Sequence, residues 1–420
     1  MKTLSDLSNE LLGLVLEDVH PLDLEAFFAT SKGHRQRGAW LLERHHLLKR
    51  TYSTFTYHKD IRRGAPARLL KAIWNNPRIA DYILKVDIEG WDLTFHGEGT
   101  SEAKLTRPPY TMEDLSLYEN ALKECKYVDG TELHEYLSIL SKGDEEPIIV
   151  LLLLSLPNLE HLRFVSAGIL DGADIIRCII EELPTQALTR LTTAHLQASS
   201  NGPDSGYDDF EVMVHLCSLP SMKEISFHGF ASDPREFEEF HESDTYCNIP
   251  VGNMTFSRCA IVSKELFGFL SRCDNLTTFS YSPGPEGHNT ESYSPFWIRA
   301  ALQTHCKDTL KCLTILSKDQ PQSFMGSLKA FKTLEDVTTD LKLLIGRLDE
   351  TVRTLSEMLP SSIRRVNLYI AEDLEEQALQ ELAQEMKMED TPELEHTHFI
   401  RPDEGIFSVC TRAREGCPED

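Results

Sequence analysis

Apolar residues recur along this chain in one short frame, at positions i, i+3 and i+5, with mostly polar residues at i+2 and i+4. The frame occurs at Ile83/Val86/Ile88, Leu159/Leu162/Phe164, Met222/Ile225/Phe227, Val251/Met254/Phe256, Leu276/Phe279/Tyr281, Leu310/Leu313/Ile315 and Ile363/Val366/Leu368. Weaker copies start at Leu188 and Phe331, and the segment from Thr391 to Phe399 matches that from Leu156 to Phe164 at its Pro, Leu, Glu, His and Phe positions. Side chains at i+3 and i+5 share one face of a strand and those at i+2 and i+4 share the other. Each copy therefore predicts a short strand, apolar on the inside and polar on the outside.

Between these strands the periodicity changes to that of a helix. Asp208 to Leu219 carries Phe210, Val214 and Cys217 at helical spacing, Ser263 to Cys273 carries Leu266, Phe267 and Leu270, and Ser294 to Cys306 carries Trp297, Ala301 and Leu302. Ser263 and Ser294 are expected N-caps. From Leu159 to Leu394 the starts lie on average about 29 residues apart, the long end of leucine-rich repeats. The chain is expected to be an α/β protein whose residues 79–400 form one right-handed β/α solenoid of degenerate repeats.

The spacing from Ile83 to Leu159 is too long for one coil, so an insertion is expected at about residues 92–150. It holds a Gly/Pro-containing stretch, Gly97 to Pro109, and helices over Met112 to Cys125 and Thr131 to Leu140. A second loop is expected from Tyr281 to Tyr293. Glu372 to Met388, apolar along Leu374, Ala378, Leu379 and Leu382, reads as the last solenoid helix, and 401–420 as a cap and tail. Residues 51–78 are expected to be a helical linker.

The first 50 residues do not fit the repeat. Leu11, Leu12, Val15, Leu16 and Val19 line one helix, capped by Ser8 or Asn9 and stopped at Pro21. Asp23 is the expected cap of a second helix carrying Leu24, Phe27 and Phe28. This small helical hairpin has more leucine and phenylalanine than 50 residues can bury.

Leu7-Ser8-Asn9-Glu10-Leu11, Val15-Leu16 and His20-Pro21-Leu22-Asp23-Leu24 resemble the F-box over residues 4–50, with Ser8 where that family has a proline. An N-terminal F-box followed by irregular repeats is similar to the F-box/leucine-rich-repeat-like proteins of fungi. The resemblance implies a substrate-recognition subunit of a Skp/cullin/F-box ubiquitin ligase, cytoplasmic or nuclear. Its F-box would dock on a Skp-type linker, and through it a cullin, while the solenoid binds a target protein. The linker-binding residues it implies are Leu7, Leu11, Val15, Leu16, Pro21, Leu24 and Phe27. The alternative is a repeat scaffold that binds a protein partner without recruiting a ligase.

Charge and chemistry agree with a protein-binding role. With 42 Lys and Arg against 67 Asp and Glu, the formal charge of −25 argues against a nucleic-acid or anionic-membrane partner, each of which favours a basic face. The longest apolar run, Ile148 to Leu154, is too short to span a bilayer, so a soluble intracellular protein is expected. The ten cysteines include no Cys-x-x-Cys pair, and hydrolase elbows, phosphate loops, His-Glu-x-x-His and dinucleotide fingerprints are all missing from the sequence. No enzymatic activity, cofactor or metal is expected. His396 and His398 would share one strand face, with no third ligand at a sensible spacing.

The outward i+2 and i+4 positions supply the expected target-binding face: Lys85, Asp87, His161, Arg163, Arg190, Thr192, Glu224, Ser226, Thr278, Ser280, Thr314, Arg365 and Asn367. Its N-terminal part, with Lys85, His161, Arg163 and Arg190, reads as the more cationic and suited to an acidic stretch on a target. Loops between the repeats are the competing location. Residues 32–78 carry twelve Lys and Arg against Glu43 and Asp60, either as solvated helix faces or as a docking surface for an acidic partner.

Overall fold

A computed structural model describes residues 7–58, 64–91, 110–124, 134, 136–138, 140, 145–166, 188–197, 209–230, 248–284, 294–317, 324–346, 355–370, 391–401 and 405–410. The chain is α/β and divides into two compact units, described separately below. One holds the described residues up to Ser166 together with Leu188–Thr192, and the other runs from Thr193 onward. The stretch 79–400, expected as a single body, is thus shared between the two units.

The first unit opens with four helices rather than a hairpin: α1 Asn9–Glu17, α2 Pro21–Ala29, α3 Lys32–Arg37 and α4 Ala39–Tyr52. Ser8 caps α1, its hydroxyl accepting from the Leu11 amide at 3.3 Å. Pro21 does not merely stop α1. It begins α2, where its missing N–H costs nothing, and the cap is His20, whose Nδ1 accepts from Leu22 N at 3.3 Å. Asp23, expected as that cap, lies in the first turn instead. Leu12, Leu16, Leu24, Phe28 and Leu41 form the core of this bundle. Gly38 starts α4, and a Cβ there would run into the Phe28 ring.

The sheet begins earlier than expected, inside the stretch read as a helical linker. β1 Thr54–His58 pairs in parallel with β2 Lys85–Trp91, Thr54 opposite Lys85 and Tyr57 opposite Ile88. That register makes Tyr52/Phe55/Tyr57 a further copy of the apolar frame, disguised because aromatics replace the aliphatic residues. Helix α5 Ala65–Asn75 and a 3₁₀ turn at Pro77–Tyr82 join the two strands. β2 then pairs with β3 His161–Ser166, Lys85 opposite His161, although more than 60 residues separate them. The insertion is looped out between paired strands. Its helices α6 Met112–Glu124 and α7 Glu146–Leu154 bury Tyr118, Leu122, Ile148 and Leu151 against Ala67 and Leu70 of α5. Part of the expected helix from Thr131 to Leu140 and the stretch from Gly97 to Pro109 lie outside the described residues.

In the second unit, β4 Thr193–Gln197, β5 Glu224–His228, β6 Asn253–Cys259, β7 Thr278–Pro283, β8 Cys312–Ile315, β9 Asp336–Asp340, β10 Arg365–Tyr369 and β11 His396–Arg401 follow one another in parallel, each paired with the next in chain order. β12 Gly405–Cys410 closes the edge antiparallel to β11. Helices α8 Asp209–Cys217, α9 Ser263–Leu270 and α10 Pro295–His305 lie between strands where the periodicity predicts them. Two shorter helices, α11 Leu341–Ile345 and α12 Leu355–Met358, precede β10. Ser294 caps α10 by position, but Ser263 lies within α9, where its hydroxyl accepts from the Ser294 amide at 2.7 Å. The expected helix from Glu372 to Met388 and most of the loop from Tyr281 to Tyr293 fall outside the described residues.

The register corrects two frame starts by three residues. Thr193 pairs with Glu224 and Asp336 with Arg365, so the true starts are Leu191 and Leu334, not Leu188 and Phe331. The error has a physical source. Several strands are preceded by a turn in which the start residue's amide donates to the carbonyl three residues earlier: Ile83 to Ala80, Leu159 to Leu156, Leu191 to Leu188, Met222 to Leu219 and Ile363 to Pro360. Leu188, which opens one of these turns, and Phe331, three residues before Leu334, are both apolar and buried, so each competes with the true start for the frame.

Neighbouring strands are tied by a second recurring device. From β5 to β10 the carbonyl just before each strand accepts from two consecutive amides at the start of the next, as Lys311 O does from Glu335 N at 2.8 Å and Asp336 N at 3.0 Å. Hydroxyls add a ladder across three junctions: Thr309 donates to Leu276 O at 3.0 Å, Thr333 to Leu310 O at 2.9 Å and Ser362 to Leu334 O at 2.8 Å. Inside, Phe227 stacks on Phe256, whose ring meets those of Phe279 and Tyr281 at a tilt. No helix among the described residues is long and apolar enough to cross a membrane.

Candidate functional site

Two surfaces result, one on the helical bundle and one on the polar side of the strands. On the bundle, the heptad-like crowding of leucines in α1 is split between inside and outside. Leu16 and Leu24 are fully buried and Pro21 is buried, so these three expected linker contacts belong to the core. Leu7 and Phe27 are half-buried and pack against that core. Leu11 and Val15 do face outward, 52% and 40% exposed. Leu14, Leu22 and Trp40 join them as exposed apolar residues, and these three escaped the sequence reading. Trp40 was hidden because α4 reads as a basic helix, yet its indole lies over α1, 3.5 Å from where a Cβ on Gly13 would sit.

Five cations of the basic stretch around these helices have partners within the first unit. Arg37 donates to Asn9 Oδ1 at 2.8 Å, Arg44 pairs with Glu17 at 3.4 Å, Lys49 with Glu25 at 2.8 Å, and Lys71 with Asp114. Arg78 donates to the Val19 carbonyl at 3.0 Å, satisfying one of the acceptors left over beyond the end of α1. These five contacts link separate elements of the first unit.

On the strands of the first unit, Lys85, Asp87, His161 and Arg163 project from the polar face. Arg163 pairs with Asp87 at 2.9 Å and Glu89 at 3.5 Å, and these carboxylates outweigh burial and raise its pKa. Arg190 lies outside any strand and donates to Asn158 Oδ1 at 2.8 Å. Asn158 is buried and in turn contacts His20 Nε2 and the Asp81 carbonyl, each at 3.0 Å. The cationic patch expected from Lys85, His161, Arg163 and Arg190 is therefore not assembled. Arg163 is matched by two acids, and Arg190 is a structural link away from the strand face. Thr192 likewise donates to the Glu160 carbonyl at 3.1 Å, one position ahead of β4. The frame correction puts Thr193 and His195 in the positions expected for Arg190 and Thr192.

In the second unit the face carries Glu224, Ser226, Thr278, Ser280, Thr314, Arg365 and Asn367 as expected. Register adds Asn253, Thr255, Cys312, Asp336, Thr338, His396 and His398. Their C-terminal members surround a hollow of about 360 Å³ lined by Cys312, Thr314, Asp336, Thr338, Arg365, Asn367 and His398. Arg365 grips Asp336 with two nitrogens, one at 2.9 Å, and Asn367 Nδ2 donates to Thr338 Oγ1 at 3.0 Å. The Cys312 thiol donates to Asp336 at 3.5 Å and is pushed up in pKa by burial and by that carboxylate. His396 and His398 stack at 6.0 Å, and burial, His396 and Arg365 together hold the His398 imidazolium below its ordinary pKa.

Among the described cysteines, Cys217, Cys259, Cys273 and Cys306 are buried free thiols, those of Cys217, Cys273 and Cys306 made less acidic chiefly by burial. Such thiols are poor nucleophiles. No protein-family model matches the chain, and no curated protein matches it in sequence.

Proposed function

We propose that the chain is an adaptor of F-box/leucine-rich-repeat-like type, without catalytic activity of its own, that presents a target protein to a Skp/cullin ubiquitin ligase in the cytoplasm or nucleus. One observation carries this reading. The N-terminal bundle closes its own core on Leu12, Leu16, Leu24, Phe28 and Leu41, yet leaves Leu11, Leu14, Val15, Leu22 and Trp40 in solvent. Exposed side chains of this size on a small helical domain suit a protein partner. The parallel strands that follow in chain order, with helices between them and a repeat of about 29 residues, suit a right-handed leucine-rich-repeat solenoid. Its polar strand face would select the target.

Ser8 favours a second reading, a repeat scaffold without ligase recruitment. It starts α1 as a hydrogen-bonding cap where the F-box family has a proline, so the helix survives while a recognition residue is lost. Co-purification of the full chain with a Skp-type linker separates the two. Retention of the linker, abolished by Leu11→Ser with Leu14→Ser, supports the ligase adaptor. Failure to retain it leaves the scaffold reading.

A further inference from the structure

In the first unit, Glu25 meets the adjacent pair His45 and His46, twenty residues further along the chain. Glu25 projects from α2, and His45 and His46 project from α4; Glu25 Oε1 lies 3.1 Å from His45 Nε2 and 3.8 Å from His46 Nε2. Among the described residues, this trio has its possible ligand atoms within 4.8 Å of one another. A divalent first-row ion binds such donors at roughly 2.0–2.2 Å, which places tetrahedral ligand atoms roughly 3.3 Å apart. The observed separations bracket that value.

We propose that Glu25, His45 and His46 form a binding site for a divalent transition-metal ion of the zinc class, a site against the expectation of no metal from sequence spacing. His45 is the anchoring ligand. Its ring is 2% exposed, and Nδ1 lies 3.0 Å from the Tyr82 hydroxyl, which orients the imidazole and directs Nε2 at Glu25. A metal-bound histidine ordinarily has such an outer partner on its second nitrogen. Glu25 and His46 are solvent-accessible, leaving an entry path and room for water as a fourth ligand. An imidazole, an imidazole and a carboxylate make a donor set that suits zinc and its neighbours rather than calcium or magnesium.

One competitor occupies the site. The Lys49 ammonium lies 2.8 Å from the same Glu25 oxygen, so metal must displace it. Bound metal would tie α2 to α4, and through His45 and Tyr82 to the 3₁₀ turn that leads into β2. It would thus brace the bundle against the base of the first strands. The site stands independently of the adaptor reading.

Cobalt(II) and zinc titrations of the full metal-stripped chain test it, by visible absorption and calorimetry. One equivalent should bind, with the d–d bands of a four-coordinate nitrogen and oxygen site, and raise the melting temperature. His46→Ala and Glu25→Gln alter exposed residues and should leave the apo-protein folded while weakening that equivalent at least about tenfold. Lys49→Met should tighten it several-fold. Absence of a saturable equivalent, binding that persists in both His46→Ala and Glu25→Gln, or unchanged or weaker binding in Lys49→Met would overturn the site.

Discussion

Arg365 on β10 closes a two-pronged ion pair on Asp336 of β9, the very residue opposite it in the ladder. The pair joins neighbouring strands on their polar face, and Asn367 repeats the linkage two residues on by donating to Thr338. Arg365 is 60% exposed in its side chain, so solvent screens most of the attraction. Arg365→Ala is expected to cost under about 1 kcal/mol in urea unfolding, although it empties one wall of the hollow. If the polar face reads the target, the same substitution weakens target capture far more than stability. Equal capture by Arg365→Ala and the parent chain would remove this end of the face from the binding surface.

Much of the architecture was legible because a period-two alternation is visible wherever the inward residues are aliphatic, as at Ile225/Phe227 and Val366/Leu368. It failed at Phe55/Tyr57, where aromatics and a preceding basic helix resemble a linker, and at Leu191 and Leu334, where the buried residue three positions earlier competes for the frame. The surfaces were less legible. A strand residue's outward direction follows from its position, so Arg163 and Arg365 were placed correctly. Their neutralisation by Asp87 and Asp336 depends on cross-strand register, which a single sequence does not display. Glu25 and His45 meet only because two helices fold back on each other.

The split of leucines in the bundle gives opposed outcomes. Leu16→Ala and Leu24→Ala delete fully buried side chains and are expected to lower stability by about 2–5 kcal/mol. Leu11→Ser, Leu14→Ser and Leu22→Ser change exposed positions and are expected to alter stability by no more than about 0.5 kcal/mol. Thermal unfolding of the five variants checks the division. A large loss from the exposed positions would mean that they are already covered within the chain.

His398 is expected to make the second unit less stable in mild acid. Burial, His396 and Arg365 lower its folded pKa below the ordinary 6.5, so the unfolded chain takes up a proton more readily than the folded one. Its contribution is fully present above pH 6.5 and is lost as pH falls from there through the folded pKa. His398→Gln should flatten the fall in stability below about pH 6.5, measured by urea unfolding at several pH values. An unchanged pH slope would show that the proton is taken up elsewhere.

The buried carboxylate of Glu145 sits at the junction of the insertion with the first strand. It accepts from the Tyr110 hydroxyl at 3.1 Å, the Gly64 amide at 2.5 Å and the Tyr57 hydroxyl. Burial and this carboxylate drive the Tyr110 pKa far upward, so the phenol stays a donor at every physiological pH. Three elements therefore depend on one acceptor: β1 through Tyr57, the entry to α5 through Gly64, and the start of α6 through Tyr110. Glu145→Ala leaves these donors buried without that acceptor and is expected to cost about 3 kcal/mol or more. Tyr110→Phe removes donor and demand together and should cost only about 1 kcal/mol. Chemical denaturation of both variants measures the difference. If Glu145→Ala proves no worse than Tyr110→Phe, water replaces the carboxylate at little cost and the insertion does not rely on it for docking.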